Sequence, residues 1–187
     1  MKFYNLLIAL IVISFTSQAQ ITMEGVTLPA TLQADNSQLV LNGAGVREKL
    51  WFDLYVGGLY LTTKSTDALT ITNADQPMAI KMHIISKMIT SERMQEAIEE
   101  GFEKSTSGNV EPYRKRIDLM VETFKEEIVI GDIFDIIYKP EKGVELYKND
   151  QRMKTIDGLD FKKALFGIWL SEDPADKGLK KGMLGNS

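Results

Sequence analysis

The stretch GAGVREKLWFDLYVGGLYL, residues 43–61, combines strand-forming residues with features that an ordinary strand avoids. Its aromatic and branched side chains favour a strand, whereas Gly57 and Gly58 would weaken a strand interior. Arg47 follows the first glycines and precedes a run of aromatic residues. A guanidinium beside aromatic side chains can hold a carboxylate or a phenolate with two hydrogen bonds inside an apolar pocket. The stretch therefore predicts a ligand site at Arg47, and the alternative is a surface arginine at the start of a strand.

Strand and helix patterns follow one another in an order that indicates the fold class. Residues 78–84 alternate between two faces, as a strand does. Apolar residues then recur at helical spacing after Thr90 or Ser91 and again after Pro112, which predicts two amphipathic helices. The chain then returns to strands and ends in helices, with strands expected over residues 133–138, 144–147 and 152–156 and helices over residues 159–170 and after a capping Asp173. This order predicts an α+β fold, a large antiparallel sheet with helices layered on one face.

The first 19 residues have the composition of a secretory signal peptide. Lys2 precedes an apolar run over residues 6–15, and Ser17-Gln18-Ala19 forms a small-residue cleavage pattern. The alternative is an uncleaved membrane anchor, which would need about 20 apolar residues. We therefore expect cleavage after Ala19 and a single mature domain over residues 20–187 with no membrane span. The bacterial style of the signal predicts a periplasmic or secreted protein.

The composition argues against several classes of function. The formal net charge is −4 and no basic stripe is present, so nucleic acid is not an expected partner. The chain has no cysteine, which excludes thiol catalysis, cysteine-bound metal and a lipoprotein anchor. His83 is the single histidine, so a histidine-rich metal site and a Ser-His-Asp triad find no support. We expect neither a metal nor a cofactor.

Three blocks of the sequence resemble the chalcone isomerase family, in particular its bacterial chalcone-isomerase-like branch. GAGVREKLWFDLYVGGLYL is similar to the family's glycine-rich turn, arginine and following strand. SKMITSERMQEAIEEGF, residues 86–102, resembles its strand-to-helix joint, and FKKALFGIWLSEDPADKGLKKGMLG, residues 161–185, resembles its closing helix. The blocks occur in order and span nearly all of the chain after residue 19. The resemblance implies an open-faced β-sandwich of the chalcone isomerase type.

The resemblance also implies two alternative activities. The plant enzymes of the family cyclise a phenolate onto an enone, with the arginine orienting the nucleophile and tyrosine, threonine and lysine supporting a water that polarises the ketone. The fatty-acid-binding members use the same arginine and a tyrosine to hold a carboxylate. Arg47 falls at the arginine position, Tyr55 at the position that is threonine in the enzymes and tyrosine in the binders, and Lys87 near the enzymes' lysine. The polarising tyrosine has no counterpart near residues 91–94, and losing one such donor costs about 10²- to 10³-fold in rate.

The spacing of Arg47 and Tyr55 argues against their acting as a pair. A straight strand rises about 3.3 Å per residue, which would separate the two residues by roughly 26 Å. A sharp bend in residues 50–53 would bring them together, but this segment holds neither glycine nor proline. The sequence therefore supports Arg47 as a site residue more strongly than the Arg47 and Tyr55 pair.

Three hypotheses for function remain open. The first is an exported, non-catalytic binder of a lipophilic ligand such as a fatty acid, whose candidate ligand-binding residues are Arg47, Tyr55, Lys87 and Trp51. The second is an intramolecular lyase or isomerase on an unknown substrate, which would need a second polar group such as Lys87 or Tyr60. The third is an envelope interaction module in which Arg47 pairs with an acid such as Asp53.

Overall fold

The computed structural model describes residues 20–186, so the expected signal peptide over residues 1–19 lies outside the described residues. The strands are β1 (Ile21–Met23), β2 (Val26–Leu28), β3 (Thr31–Ala34), β4 (Ser37–Lys49), β5 (Phe52–Leu61), β6 (Met78–Ile84), β7 (Ile133–Lys139), β8 (Gly143–Lys148) and β9 (Gln151–Ile156). The α-helices are α1 (Ala68–Asn73), α2 (Ser91–Ser105), α3 (Arg114–Thr123), α4 (Leu159–Leu170) and α5 (Lys177–Met183), and a 3₁₀ turn (Glu111–Tyr113) precedes α3.

The strands from β3 to β9 form one seven-stranded antiparallel sheet in which each strand pairs with its neighbour in sequence. β1 and β2 form a separate antiparallel hairpin. The helices α2 and α3 are inserted between β6 and β7, and α4 and α5 follow β9. This is the α+β architecture that the order of patterns predicts.

The two faces of the sheet are covered differently. Met78, Ile80, Met82 and Ile84 of β6 belong to the main core, which they share with buried residues of α2, α3 and α4. A smaller core lies on the opposite face, where residues of the β1–β2 hairpin pack on β4 and β5. The alternation expected over residues 78–84 is confirmed, and so is the open-faced β-sandwich with its helices layered on one face.

The glycines of the opening stretch serve close packing, which corrects the expected turn at residues 43–45. β4 runs through these residues as a strand. A side chain on Gly43 would collide with the carbonyl oxygen of Gly182, and a Cβ on Gly45 would lie 3.1 Å from the Cα of Leu179. A Cβ on Gly57 would lie 2.7 Å from the Met183 methyl carbon. The glycines therefore allow α5 to lie directly on the backbone of the sheet.

The last helix begins later than the sequence predicts, so the expected cap at Asp173 is wrong. After α4 ends, the chain folds back and the Ala175 amide donates to the Ile168 carbonyl at 2.7 Å. α5 starts only after this loop, and its cap is Asp176, whose carboxylate accepts from the Leu179 amide at 2.6 Å. Because of this loop the helix begins at Lys177, and Asp176 rather than Asp173 precedes it.

A tight hairpin joins β4 to β5, although the sequence shows no glycine or proline for a bend. Lys49 pairs with Phe52, and the two residues between them form the turn. Leu50 and Trp51 have φ angles of 51° and 70°. Two-residue hairpin turns of this kind usually contain Asn-Gly, because both residues need positive φ. The expectation of a straight strand is therefore wrong, because Leu-Trp occupies a turn that favours other residues.

Candidate ligand-binding site

A cavity of about 340 Å³ lies between the sheet and the helices α2, α3 and α4. This volume falls in the range of about 300–1,000 Å³ that is common for small-molecule sites. The apolar part of its wall includes Met82, Met94, Ile98, Phe124, Ile136 and Ile168. The cavity can therefore accept an apolar molecule or the apolar part of a larger one.

Arg47 and Tyr55 lie directly opposite each other across the β4–β5 hairpin and both line this cavity. Side chains at opposed positions of an antiparallel pair lie on the same face of the sheet, with Cβ atoms about 4.5–5.5 Å apart. In a straight strand Arg47 and Tyr55 would be roughly 26 Å apart. The hairpin turn, which the sequence does not predict, makes them direct neighbours.

The Tyr55 hydroxyl is held as a neutral hydrogen-bond donor at the cavity wall. The Trp169 indole Nε1–H donates to the Tyr55 oxygen at 2.9 Å. Burial raises the pKa of the Tyr55 phenol to about 12, although the bond from Trp169 and the charge of Arg47 act in the opposite direction. Among residues 20–186 no acceptor takes the Tyr55 hydroxyl proton. That proton is therefore available to a ligand.

Arg47 already has one acidic neighbour, and this neighbour is not the expected Asp53. Its Nη1 donates to the Asp176 carboxylate at 3.2 Å and to the Glu48 carbonyl at 2.9 Å. Asp53 lies across the hairpin from Glu48 instead. Nε and Nη2 of Arg47 make no hydrogen bond to residues 20–186. A guanidinium carries five donors, so Arg47 can serve Asp176 and a second acceptor together.

The mouth of the cavity is charged, whereas its interior is apolar. The charged residues that line the cavity are Arg47, Lys49, Arg93, Glu96, Glu100 and Lys104. Lys104 pairs with Glu100 at 2.7 Å, but Lys49 and Arg93 form no ion pair within residues 20–186. The arrangement suits an amphipathic molecule with an anionic head and an apolar tail.

The other two candidate site residues, Trp51 and Lys87, do not line the cavity. Trp51 stands at the hairpin turn with its side chain in solvent. Lys87 lines a separate depression beside the start of α2, together with Lys125. The polar group proposed for catalysis at Tyr60 faces the other side of the sheet, where its hydroxyl donates to the Pro29 carbonyl at 3.0 Å. The structure therefore joins Arg47 to Tyr55 and separates both from the remaining candidates.

Sequence reasoning missed two residues that complete the polar end of the cavity. Trp169 is correctly expected inside the helix over residues 159–170, but only the fold shows that its indole meets Tyr55. Asp176, which also contacts Arg47, caps the last helix in place of the predicted Asp173. Asp176 precedes the apolar pair Leu179 and Met183, which stand at helical spacing, and an aspartate in that place is a favoured helix cap.

The comparisons with known proteins identify the family. The family model described as chalcone isomerase-like matches residues 19–185. The chain belongs to the chalcone isomerase-like family. A solved structure similar to this chalcone isomerase-like chain is the fatty-acid binding protein of Arabidopsis thaliana, with a TM-score of 0.71 and 16% identity over 90% of this chain and 97% of that one. At this identity the likeness is one of fold. No curated protein matches the chain significantly.

Residues 20–186 of this chalcone isomerase-like chain hold neither a membrane-spanning helix nor a cluster of metal-ligating side chains. No helix within residues 20–186 is both long and apolar enough to cross a membrane. In that part of the chain no group of three or more histidine, cysteine or acidic side chains is arranged to hold a metal ion.

Proposed function

We propose that this protein binds a fatty acid, or another long-chain carboxylic acid, without transforming it. The observation that carries this proposal is the direct opposition of Arg47 and Tyr55 on the wall of one apolar cavity. A cation and a neutral phenol side by side form a site for a carboxylate, because both donate hydrogen bonds to its oxygens. The related fold of a protein described as fatty-acid binding supports the same ligand class.

The ligand's carboxylate would lie between Arg47 and Tyr55, and its chain would extend into the apolar interior. Nε and Nη2 of Arg47 would donate to the carboxylate while Nη1 stays with Asp176. The Tyr55 hydroxyl would add a third bond, since Trp169 fixes its oxygen as an acceptor and leaves its proton free. A carboxylate that leaves water needs such a set of donors, because unpaired buried charge is costly.

The interior is suited to a flexible chain rather than to one rigid ring system. Four methionines line the cavity, namely Met82, Met88, Met94 and Met120. Methionine side chains are unbranched and polarisable, and they adapt to irregular apolar shapes. We therefore expect the protein to accept saturated chains of more than one length.

No observation favours the alternative of an intramolecular lyase or isomerase. Beyond Arg47 and the Tyr55 hydroxyl, that activity would need a further polar group to support polarisation of a ketone. Within the described residues, the two groups considered for this role, Lys87 and Tyr60, both lie away from the cavity wall. Residue 55 is a tyrosine, as in the fatty-acid-binding members of the family, whereas the enzymes have threonine at this position.

We also propose that residues 1–19 are a signal peptide and that the mature protein is exported to the periplasm or beyond. The proposal rests on Lys2, the apolar run over residues 6–15 and the small residues that end at Ala19. The mass of the protein recovered from the cell envelope tests it. A mass that retains residues 1–19 would contradict cleavage.

Calorimetric titration with dodecanoate and with dodecanol tests the ligand class. The two compounds share a chain and differ in charge, so the variant Arg47→Ala should weaken dodecanoate binding about 10- to 100-fold and leave dodecanol binding unchanged. The exposed Arg152, which does not line the cavity, provides the control variant Arg152→Ala. Unchanged dodecanoate affinity in Arg47→Ala, or no lipid extracted from the native protein, would contradict the proposal.

A further inference from the structure

The tip of the β4–β5 hairpin presents three consecutive apolar side chains to solvent. Trp51 is 100% exposed, Leu50 is 75% exposed and Phe52 is 53% exposed. Large exposed apolar side chains are ordinary when they stand singly, but a contiguous group marks a surface for interaction. Neither the core nor the cavity accounts for Trp51 and Phe52.

A second apolar loop lies at the same end of the sheet. Val129 and Ile130, in the loop before β7, are half exposed. The amide of Gly131 donates to the Ile84 carbonyl at 2.9 Å, which fixes this loop at the end of β6. The amide of Ile85 donates to the Leu54 carbonyl at 3.1 Å, which joins the same end of β6 to the hairpin. Five of the seven large hydrophobic residues exposed within residues 20–186 therefore lie at this end of the sheet.

The cavity opens beside the hairpin tip. Lys49 and Leu50 line the cavity and belong to the hairpin, and Arg93 lines it from the first turn of α2. Lys49 and Arg93 are exposed and form no ion pair within the described residues. Apolar side chains thus project beyond the entrance to the cavity, where the exposed cations Lys49 and Arg93 lie near the exposed acids Glu48 and Asp53 of the hairpin.

The backbone of the tip is unfavourable for the residues that it contains. Leu50 and Trp51 both have positive φ, and bulky residues rarely adopt this conformation. A hairpin that needed only to turn would be better served by Asn-Gly. The tip therefore presents a tryptophan where folding alone would favour a small residue.

We propose that this hairpin tip inserts into the surface of a phospholipid bilayer and holds the cavity mouth against the lipid. Tryptophan is the side chain that favours the boundary between hydrocarbon and head groups, and Lys49 and Arg93 would meet phosphates of anionic lipids. A convex tip of a few side chains suits a bilayer better than a protein, because stable protein interfaces bury about 1,200–2,000 Å². Insertion of the tip is inferred without reference to the ligand. The further inference that a carboxylic acid passes between the bilayer and the cavity rests on the proposed function.

The fluorescence of Trp51 tests insertion directly. The chain has two tryptophans, and Trp169 is buried whereas Trp51 is exposed. The exported protein, with removal of residues 1–19 verified by mass, is mixed with vesicles of phosphatidylcholine and phosphatidylglycerol. We expect the emission of Trp51 to shift to the blue and to be quenched by brominated lipid, and the variant Trp51→Phe to lose this signal. Absence of the shift would overturn the proposal.

Sedimentation with the same vesicles tests the role of the tip. The double variant Trp51→Gly/Phe52→Ser should sediment with them roughly tenfold less than the wild type. Leu69→Ser, at an exposed residue of α1, is the matched control and should sediment like the wild type. Equal sedimentation of the double variant and the wild type, or tip-dependent capture of a protein without vesicle binding, would overturn the proposal.

Titration of dodecanoate in aqueous solution separates the two proposals. The double variant should keep the wild-type dodecanoate affinity, because neither changed residue lines the cavity. If the wild type bound vesicles but not dodecanoate, the proposal of membrane insertion would hold and the proposal of a carboxylic acid as ligand would be rejected. Loss of dodecanoate binding in the double variant would show that the tip belongs to the ligand site, and the proposal would fail.

Discussion

Tyr55 combines two hydrogen-bonding roles that one substitution can separate. The variant Tyr55→Phe removes the hydroxyl that would donate to the ligand and also leaves the buried Trp169 N–H without its partner. We expect dodecanoate affinity to fall roughly tenfold and the free energy of unfolding to fall by about 1–3 kcal/mol. Titration and urea unfolding measure the two effects.

Tyr60→Phe is the matched control for this prediction. Tyr60 is buried on the opposite face of the sheet, where its hydroxyl donates to the Pro29 carbonyl. The variant should therefore lose stability of a similar size and keep its dodecanoate affinity. If both variants bound dodecanoate as the wild type does, the Tyr55 hydroxyl would have no part in the site.

A buried lysine stands apart from the cavity and sets a pH dependence. The Lys162 ammonium on α4 donates to the carbonyls of Ile71, Thr72 and Ala74 at 3.1, 2.8 and 2.8 Å, and so caps the end of α1. Burial, with a smaller contribution from the charge of Lys163, lowers the pKa of Lys162 from 10.5 to about 8, while Asp75 opposes the shift. Between these two values the unfolded chain binds more protons at this position than the folded protein does.

Stability should therefore rise with pH in the window from about 8 to 10.5. We expect the free energy of unfolding of the wild type, measured relative to the variant Lys162→Met, to increase by up to about 3 kcal/mol across this window. Denaturant unfolding at a series of pH values measures it. A difference that stays constant with pH would show that folding leaves the pKa of Lys162 unchanged, and a difference that falls would show that folding raises this pKa; both outcomes would contradict the prediction.

At the scale of elements, the contact between α5 and β4 depends on residues without side chains. The variant Gly43→Ala would place a methyl group against the carbonyl of Gly182. Because the obstacle is backbone, α5 would have to move, and we expect a loss of about 1–3 kcal/mol. The exposed Gly178 of α5 offers the control Gly178→Ala, which should destabilise less than Gly43→Ala, since its added carbon meets a side chain, the Asp176 carboxylate at 3.2 Å, rather than backbone. Equal urea midpoints for Gly43→Ala and the wild type would contradict this packing.

The β4–β5 hairpin should become more stable when its turn residue is replaced. Trp51 has a φ of 70° and is fully exposed, so Trp51→Gly loses no buried contact and gains a residue that adopts positive φ freely. We expect the free energy of unfolding to rise by about 1 kcal/mol. Urea unfolding measures this, with Leu69→Ala as a control for the removal of an exposed apolar side chain. A decrease for Trp51→Gly would mean that Trp51 stabilises the folded chain.

Periodicity predicted most elements, whereas turn geometry escaped it. The alternation over residues 78–84 and the helical spacing over residues 159–170 mark β6 and α4 at their observed bounds. The turn at Leu50 and Trp51 has no periodic pattern, and its two residues are ones that rarely adopt the positive φ angles that the turn requires. Because the sequence does not predict this turn, Arg47 and Tyr55 are expected far apart. In the fold the turn places them opposite each other.

At the scale of the whole molecule, ligand transfer should depend on contact with lipid. If the tip inserts, a fluorescent fatty acid should leave the protein for vesicles at a rate that rises with vesicle concentration. In the variant Trp51→Gly/Phe52→Ser the rate should become slower and independent of vesicle concentration, because release into water would then limit it. Stopped-flow fluorescence distinguishes the two, and a wild-type rate that ignores vesicle concentration would contradict contact-dependent transfer.

The candidate site was predictable only in part, because its members come from distant parts of the chain. Arg47 and Tyr55 stand out through the residues around them and through the family resemblance. Trp169 and Asp176 reach the same place from the end of the described chain, through α4 and the loop before α5. No periodic pattern records a contact between residues more than a hundred positions apart, so the fold alone supplies it.

The packing of α5 on β4 has a kinetic consequence. The Asn42 side chain donates to the Met183 carbonyl across 141 positions of sequence, and the glycine surface of β4 is covered only once residues 177–183 have been synthesised. Contacts of such long range form slowly, because a large loop must close first. The contact between α5 and β4 should therefore form late, after residues 177–183 have been synthesised and the chain between the two elements has closed into a loop.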